Sequence, residues 1–322
     1  MSTGKLRISI LALLAAVAAL DAQLVQAQWQ PAYVKGDFDG DLYFDLILQR
    51  RQPEETSWPA QIWLMNGAVR KAVATLTPQP IQGLRIVGAD DFNRDAKTDL
   101  VLQKEETGEA EIWLLDGTTR IGSPLAVDGG SPGDTWTLAA TGDFNHDGWA
   151  DLLWQHASGS LQIWLMEGEK PTAVMVPSPS APNASNWQVA ATADFDHGGD
   201  LDFVWHNVTS GKAVVWTMDA ALVRSTDPLA SGFTDPTQPE ADAGWRIVAA
   251  GQLDGAVALI WQHIAPSIAE AVELPDTDGQ IHIWLMGGGG GPGHGYLAAL
   301  PENQWHTQPS SLPVGYLIVG PR

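Results

Sequence analysis

The segment Gly142–Met166, GDFNHDGWADLLWQHASGSLQIWLM, joins an acidic loop to two apolar runs, and near-copies of it recur along the chain. Its counterparts begin at Gly36 (GDFDGDLYFDLILQ), Ala89 (ADDFNRDAKTDLVLQ), Ala193 (ADFDHGGDLDFVWH) and Gly251 (GQLDGAVALIWQ). The loops start at Asp37, Asp91, Asp143, Asp194 and Gln252, spaced by 54, 52, 51 and 58 residues. Self-similarity at one period means that each copy is a supersecondary unit that buries its apolar faces against its neighbours.

Each copy reads as strands. Before the loop stands a segment such as LRIVG (84–88), WTLAA (136–140), WQVAA (187–191) or WRIVA (245–249). After it come a run like DLLWQ and a polar turn (Ala157–Ser160, Val208–Lys212). A second apolar run follows: QIWLM at 61–65, EIWLL at 111–115, QIWLM at 162–166, AVVWTM at 213–218 and HIWLM at 282–286. Short β-branched and aromatic runs bounded by turn residues are strand signals. The IWLM runs do not alternate apolar with polar, so the sheets are covered on both faces. An all-β fold of four-stranded antiparallel blades, a β-propeller, fits this pattern; an open β-solenoid normally has shorter repeats.

The expected organisation is a signal segment at 1–27 and one propeller domain at 28–322. Its units lie near 29–83, 84–135, 136–186, 187–244 and 245–314. The period favours five blades, with six or seven left open. Gly315–Gly320, GYLIVG, resembles the strand before each loop yet has no loop after it. It predicts a ring closed by pairing of the first and last units, with Tyr33–Gly36 as a competing pre-loop strand.

Lys5 and Arg7, an apolar run from Ile8 to Leu20, and Val25-Gln26-Ala27 read as an export signal cleaved after Ala27. The run is too short to cross a bilayer, which needs about 20 residues. The expected location is therefore secreted, periplasmic or cell-surface, with no transmembrane span in the mature chain. There is no cysteine, so no disulfide restrains the loops. Without residues 1–27 the chain carries 15 Lys and Arg against 37 Asp and Glu, a formal charge of −22. Such a field disfavours nucleic acid, whose phosphates need Lys and Arg.

The carboxylates are clustered at loop positions 1, 3, 5 and 9. Oxygen-bearing residues there are Asp37, Asp39, Asp41 and Asp45; Asp91, Asn93, Asp95 and Asp99; and Asp143, Asn145, Asp147 and Asp151. The fourth loop has Asp194, Asp196 and Asp202, with Gly198 at position 5. Spacing of two in a tight turn brings successive oxygens toward one centre, and position 7 can add its carbonyl. An all-oxygen set without His or Cys fits Ca²⁺ rather than zinc or copper. Turn preference alone would explain one such loop, not three with the same four positions. The helical EF-hand version is ruled out, because position 12 is Leu48, Leu102, Trp154 or Trp205 inside a strand run. The fifth loop, Gln252–Ala258, is two residues shorter, lacks most ligands and is expected to be metal-free.

GDFNHDGWADLLWQH followed by an IWLM run resembles the FG-GAP or VCBS repeat of integrin-alpha N-terminal-like β-propellers. The resemblance spans units one to three strongly, unit four weakly and unit five in degraded form. It implies that the D-x-[DN]-x-D-x-x-x-D loop binds Ca²⁺ between strands at the residues just named. It also implies adhesion or ligand binding, in some members as lectins. Propellers of that family commonly have seven blades, more than the units counted here.

Fifteen Trp residues invite a sugar-binding reading, but Trp63, Trp113, Trp154, Trp164, Trp205, Trp216, Trp261 and Trp284 sit at repeat positions, where blade packing explains them. Trp58, Trp149 and Trp305 fall outside the pattern and are the candidate exposed stacking residues. No nucleophile elbow, phosphate loop or His-rich zinc motif is present, and no catalytic residue is assigned. The expected function is a calcium-binding, non-catalytic binding or adhesion module for a glycan or an extracellular protein surface, lectin-like in one form. The alternative is a secreted polysaccharide hydrolase or lyase with acidic residues at the channel mouth. The insertions Ser225–Gly244, Ala265–Gly279 and Gly287–Gly295 mark units four and five as the candidate binding edge.

Overall fold

In unit one, β1 (Leu46–Arg50), β2 (Ala60–Asn66) and β3 (Val69–Thr75) follow the acidic loop in an antiparallel meander. This computed structural model describes residues 35–51, 56–182, 186–228, 245–253, 256–263, 280–286, 299–311 and 316–320. All of them lie in the unit Val34–Arg322. The expected signal segment 1–27 falls outside the described residues, as do most of the three insertions. Among the described residues no helix is long and apolar enough to cross a membrane.

Unit two has β4 (Leu84–Asp90), β5 (Asp99–Lys104), β6 (Ala110–Trp113), a small hairpin of β7 (Leu115–Asp116) and β8 (Thr119–Arg120), and β9 (Leu125–Ala126). Unit three has β10 (Trp136–Gly142), β11 (Asp151–His156), β12 (Leu161–Glu167) and β13 (Lys170–Met175). Unit four has β14 (Trp187–Ala193), β15 (Asp202–Asn207), β16 (Ala213–Asp219) and β17 (Leu222–Pro228). Unit five has β18 (Trp245–Leu253), β19 (Ala256–His263), β20 (Gln280–Met286) and β21 (Ala299–Ser311), and β22 (Tyr316–Gly320) ends the strand order. The predicted order of pre-loop strand, loop, first run and second run is thus the observed order in units two, three and four.

Units two, three and four are separate four-stranded sheets. Units one and five share an eight-stranded sheet, β18-β19-β20-β21-β3-β2-β1-β22, because β21 meets β3 in a parallel bridge at Gln308 and Val69. Among the described residues there are four large hydrogen-bonded sheets where the period favours five blades, the eight-stranded one holding both β18-β19-β20-β21 and β3-β2-β1-β22. The separate blades expected for units one and five are thus fused.

β22 supplies the strand that unit one lacks, pairing antiparallel with β1 at Leu48 and Ile318. The inner strands then form a closed circuit, with β4 against β10, β10 against β14, β14 against β18, β18 against β22 and β22 against β4. Of the competing segment Tyr33–Gly36, Lys35 and Gly36 form a turn and the rest lies outside the described residues.

The core lies between sheets. One apolar cluster joins units one and two through Ile47, Ile62, Ile86 and Trp113. Others join two with three (Phe92, Val101, Leu152, Trp154), three with four (Phe144, Ile163, Phe203, Trp205), and four with five (Phe195, Val215, Leu259, Trp261). A further cluster packs unit five on unit one through Val248, Ile260, Phe44 and Trp63. Continuous apolar runs are what strands buried on both faces require, and Leu152, Leu153 and Trp154 are all fully buried. Edge-tilted indoles fill these seams, as in Trp154–Trp164 with centroids 5.3 Å apart.

Candidate metal centre

The four acidic loops precede the second strand of units one to four, and their backbones repeat. Positions 4 and 6 of each have positive φ: Gly40 and Leu42, Arg94 and Ala96, His146 and Gly148, His197 and Gly199. Leucine, alanine, arginine and histidine in the left-handed region are strained by about 1 kcal/mol each. The shape therefore persists because other contacts fix it.

Those contacts are the aspartates. The position 1 carboxylate accepts N–H groups of positions 5 and 6: Asp143 from Asp147 (3.1 Å) and Gly148 (2.8 Å), Asp91 from Asp95 (3.0 Å) and Ala96 (2.8 Å). Asp194 does the same with Gly198 (2.9 Å) and Gly199 (3.0 Å), so the fourth loop keeps its form without a position 5 ligand. The position 9 carboxylate is fully buried and spans two elements. Asp151 accepts from Phe144 (2.9 Å) in its own loop and from Met166 (2.8 Å) in the second run. Asp45, Asp99 and Asp202 repeat the staple with Phe38 and Met65, Phe92 and Leu115, and Phe195 and Met218. The ladder register shifts at Leu64/Met65, Leu165/Met166 and Thr217/Met218, freeing an N–H that this carboxylate accepts.

Burial pushes each of these four carboxyls up to about 7, and nearby aspartates add to the rise against the pull of the two backbone N–H groups. Carboxylate oxygens of Asp37, Asp39 and Asp45 lie within 4.8 Å of one another, as do those of Asp194, Asp196 and Asp202. In loops two and three the position 3 amide donates to the position 5 carboxylate, Asn93 to Asp95 at 3.2 Å and Asn145 to Asp147 at 2.8 Å. The donor set is all oxygen, several carboxylates converge within one ion's reach, and a buried carboxyl would regain its charge beside a cation. These residues fit a hard divalent ion.

The loops also touch one another around the circuit. Thr98 Oγ1 donates to the Asp37 carbonyl at 2.8 Å, Arg94 lies 5.1 Å over the Trp149 ring, and His146 Nε2 meets Asp200 Oδ1 at 2.9 Å. The Asp200 bond raises the His146 pKa. Lys71 of β3 pairs with Asp39 (2.6 Å) and Asp41 in loop one, which raise its pKa. At the loop-side ends of the inner strands, Asp90 is buried 3.7 Å from Lys35, whose Nζ donates to Thr141 O at 2.5 Å. In unit five, β18 and β19 pair out to Leu253 and Ala256, a hairpin where the other units have the loop.

The aromatic candidates need correction. Trp58, expected as an exposed stacking residue, is only 6% exposed. Its N–H donates to Pro80 O at 2.9 Å beside the Ser57–Ile81 bridge, and Arg51 lies 6.0 Å over its ring, so it packs the approach to unit two. Trp149 is half-buried with one face taken by Arg94. Trp305 stands on β21 opposite Ile283, its side chain outside the described residues. An indole that does reach a cleft is Trp187, which begins an inner strand at the end opposite the loops. A cleft of about 380 Å³ there is lined by Arg85, Gln155, His156, Ser158, Trp187 and Gln188.

Not foreseen from the sequence was the role of the glutamine that ends the first run of units one to three. Gln155 donates to Trp187 O (2.8 Å) and accepts from Val189 N (3.0 Å), clamping the next inner strand. Gln49 holds Leu84 and Ile86 in the same way, and Gln103 holds Trp136 and Leu138. The recurrence of Gln at one register position was the available signal.

The family model described as FG-GAP-like repeat matches residues 91–154 and 143–205, which enclose loops two, three and four. Residues 91–205 thus carry FG-GAP-like repeats, within a β-propeller arrangement of the sheets. No curated protein matches it. Among solved structures it is similar to the Tc holotoxin pore of Photorhabdus luminescens, at 15% identity and a TM-score of 0.33, covering 72% of this chain and 10% of that one.

Proposed function

We propose that this chain is an exported propeller whose acidic loops bind Ca²⁺ and whose surface captures a glycan or an extracellular protein without cleaving it. The observation that carries the calcium reading is the fourfold repetition of one strained loop backbone around converging aspartates. Asp37, Asp39, Asp41 and Asp45 would hold the ion in the first loop; Asp91, Asn93, Asp95 and Asp99 in the second; Asp143, Asn145, Asp147 and Asp151 in the third; and Asp194, Asp196 and Asp202 in the fourth. At millimolar Ca²⁺ and dissociation constants on the order of 10⁻⁴ to 10⁻³ M, each site contributes roughly 0.4–1.4 kcal/mol. In a chain without disulfides that restraint is structural. For the ligand, the cleft beside Trp187 offers a half-buried indole among amide and hydroxyl groups, the combination that stacks on and hydrogen-bonds a sugar.

Calorimetric titration of chelator-stripped protein with CaCl₂ tests the metal. Uptake with a raised melting temperature is expected, and no heat with identical melting in chelator would remove the reading. A glycan array run in Ca²⁺ beside a polysaccharide-cleavage screen tests the module. Capture without turnover is expected; release of reducing ends would replace the module with a hydrolase or lyase.

A further inference from the structure

We propose that Lys71 is a tethered cation of the first loop, competing with Ca²⁺ for Asp39 and Asp41 and so lowering the affinity of that site for the ion. The inference rests on the calcium reading above. Loop one differs from loops two and three at position 3, where Asp39 stands in place of Asn93 and Asn145. It therefore gathers four carboxylates, and it lacks the amide that in the other two donates to the position 5 carboxylate. An ammonium does that bridging here: Lys71 Nζ lies 2.6 Å from Asp39 and also bonds Asp41.

The strand register shows that units two and three have no cation at this place. Arg70 pairs with Met65, so Lys71 is the next residue along β3. The counterparts are Ile121 in unit two, after Arg120 paired with Leu115, and Thr172 in unit three, after Pro171 paired with Met166. Neither carries a charge, and the Thr172 hydroxyl donates to Leu165 O at 3.1 Å. Arg224 holds the place in unit four, its side chain outside the described residues. An ammonium on both carboxylates occupies lone pairs that a divalent ion would use and offsets their attraction for it. Calcium must break two ion pairs to enter, whereas without calcium Lys71 relieves the repulsion among the four carboxylates. Loop one is thus the site held in shape by the chain's own charge.

The test compares wild type, Lys71→Met, Lys71→Arg and, as a control, Lys104→Met, whose ion pair with Glu109 (3.1 Å) lies away from the loops. Each full chain is titrated in chelator-buffered Ca²⁺ and melted with and without the ion. In Lys71→Met one site should tighten about five- to tenfold, the scale of two part-exposed ion pairs. The same variant should melt lower in chelator and gain more from Ca²⁺ than wild type; Lys71→Arg and Lys104→Met should follow wild type. Unchanged or weakened affinity in Lys71→Met, in a wild type that binds Ca²⁺, overturns the competition. Absence of Ca²⁺ uptake in every variant removes the calcium reading itself. Release of Ca²⁺ from the loaded protein into chelator reads the same change as a slower rate, so a poorly folding stripped variant still gives the answer.

Discussion

At Asp151 a proposed ligand position and an observed structural staple coincide. Both oxygens accept buried backbone N–H groups, from Phe144 and Met166, and the residue is fully buried. The Asp-x-Asn-x-Asp spacing places positions 1, 3 and 5 in one tight turn, because that geometry is local. It reveals nothing of the Met166 N–H, which depends on a register shift in a strand fifteen residues away. Replacing Asp151 with alanine leaves two buried donors without acceptors, each worth about 1–3 kcal/mol. The Asp151→Ala chain should therefore lose about 3 kcal/mol even in chelator, read from denaturant unfolding. A residue that served the metal alone would lose stability only when Ca²⁺ is present. The misreading of Trp58 has the same origin: absence from the repeat pattern says nothing of burial, and a loop residue beside a neighbouring unit is covered by it.

Among elements, the strands were legible because apolar runs and turn residues are local signals, and the seams were not. In units one to three the glutamine clamp ties a second strand to the next inner strand, but in unit four the position holds His206. Its Nε2 is buried without a hydrogen-bond partner, and its ring stands edge-on to Trp261 at 5.9 Å. Burial, with Arg246 nearby, pushes the imidazole down to about 4. The folded state then binds fewer protons than the unfolded chain between about pH 6.5 and 4. Stability from this group is full above 6.5 and is lost as the pH falls toward 4. His206→Gln restores an amide able to reach both backbone partners and removes the titration. It should gain about 1 kcal/mol at pH 7 and more at pH 5, measured by denaturant midpoints at both. Equal midpoints for the two chains would show that the seam between units four and five needs no clamp.

For the whole molecule, the period and the orphan GYLIVG segment pointed to closure, and β22 does pair with β1. The bridge that merges units five and one was invisible in the sequence, because a parallel contact between β21 and β3 joins residues with no shared pattern. Closure places the acidic loops around one circuit, so their titration acts on a single cooperative body. The four position 9 carboxyls sit near 7 in the fold and near 4 in the unfolded chain. A raised carboxyl means that the folded state holds the extra protons between those values, so in chelator stability rises as the pH falls from 7 toward 4. His206 opposes this below 6.5, but four carboxyls at about 1–2 kcal/mol each outweigh one imidazole at pH 5.5. Calcium bound as proposed would reverse the balance: carboxylate ligands must be deprotonated, so the ion would have to displace these protons and its affinity would fall on acidification. Melting curves at pH 7.5 and 5.5, each with CaCl₂ and with chelator, should show the higher chelator melting point at 5.5 and the larger calcium-induced shift at 7.5. A shift of equal size at both values would mean that the buried aspartates are ionised in the metal-free ring, with their two backbone N–H bonds sufficient to hold the charge.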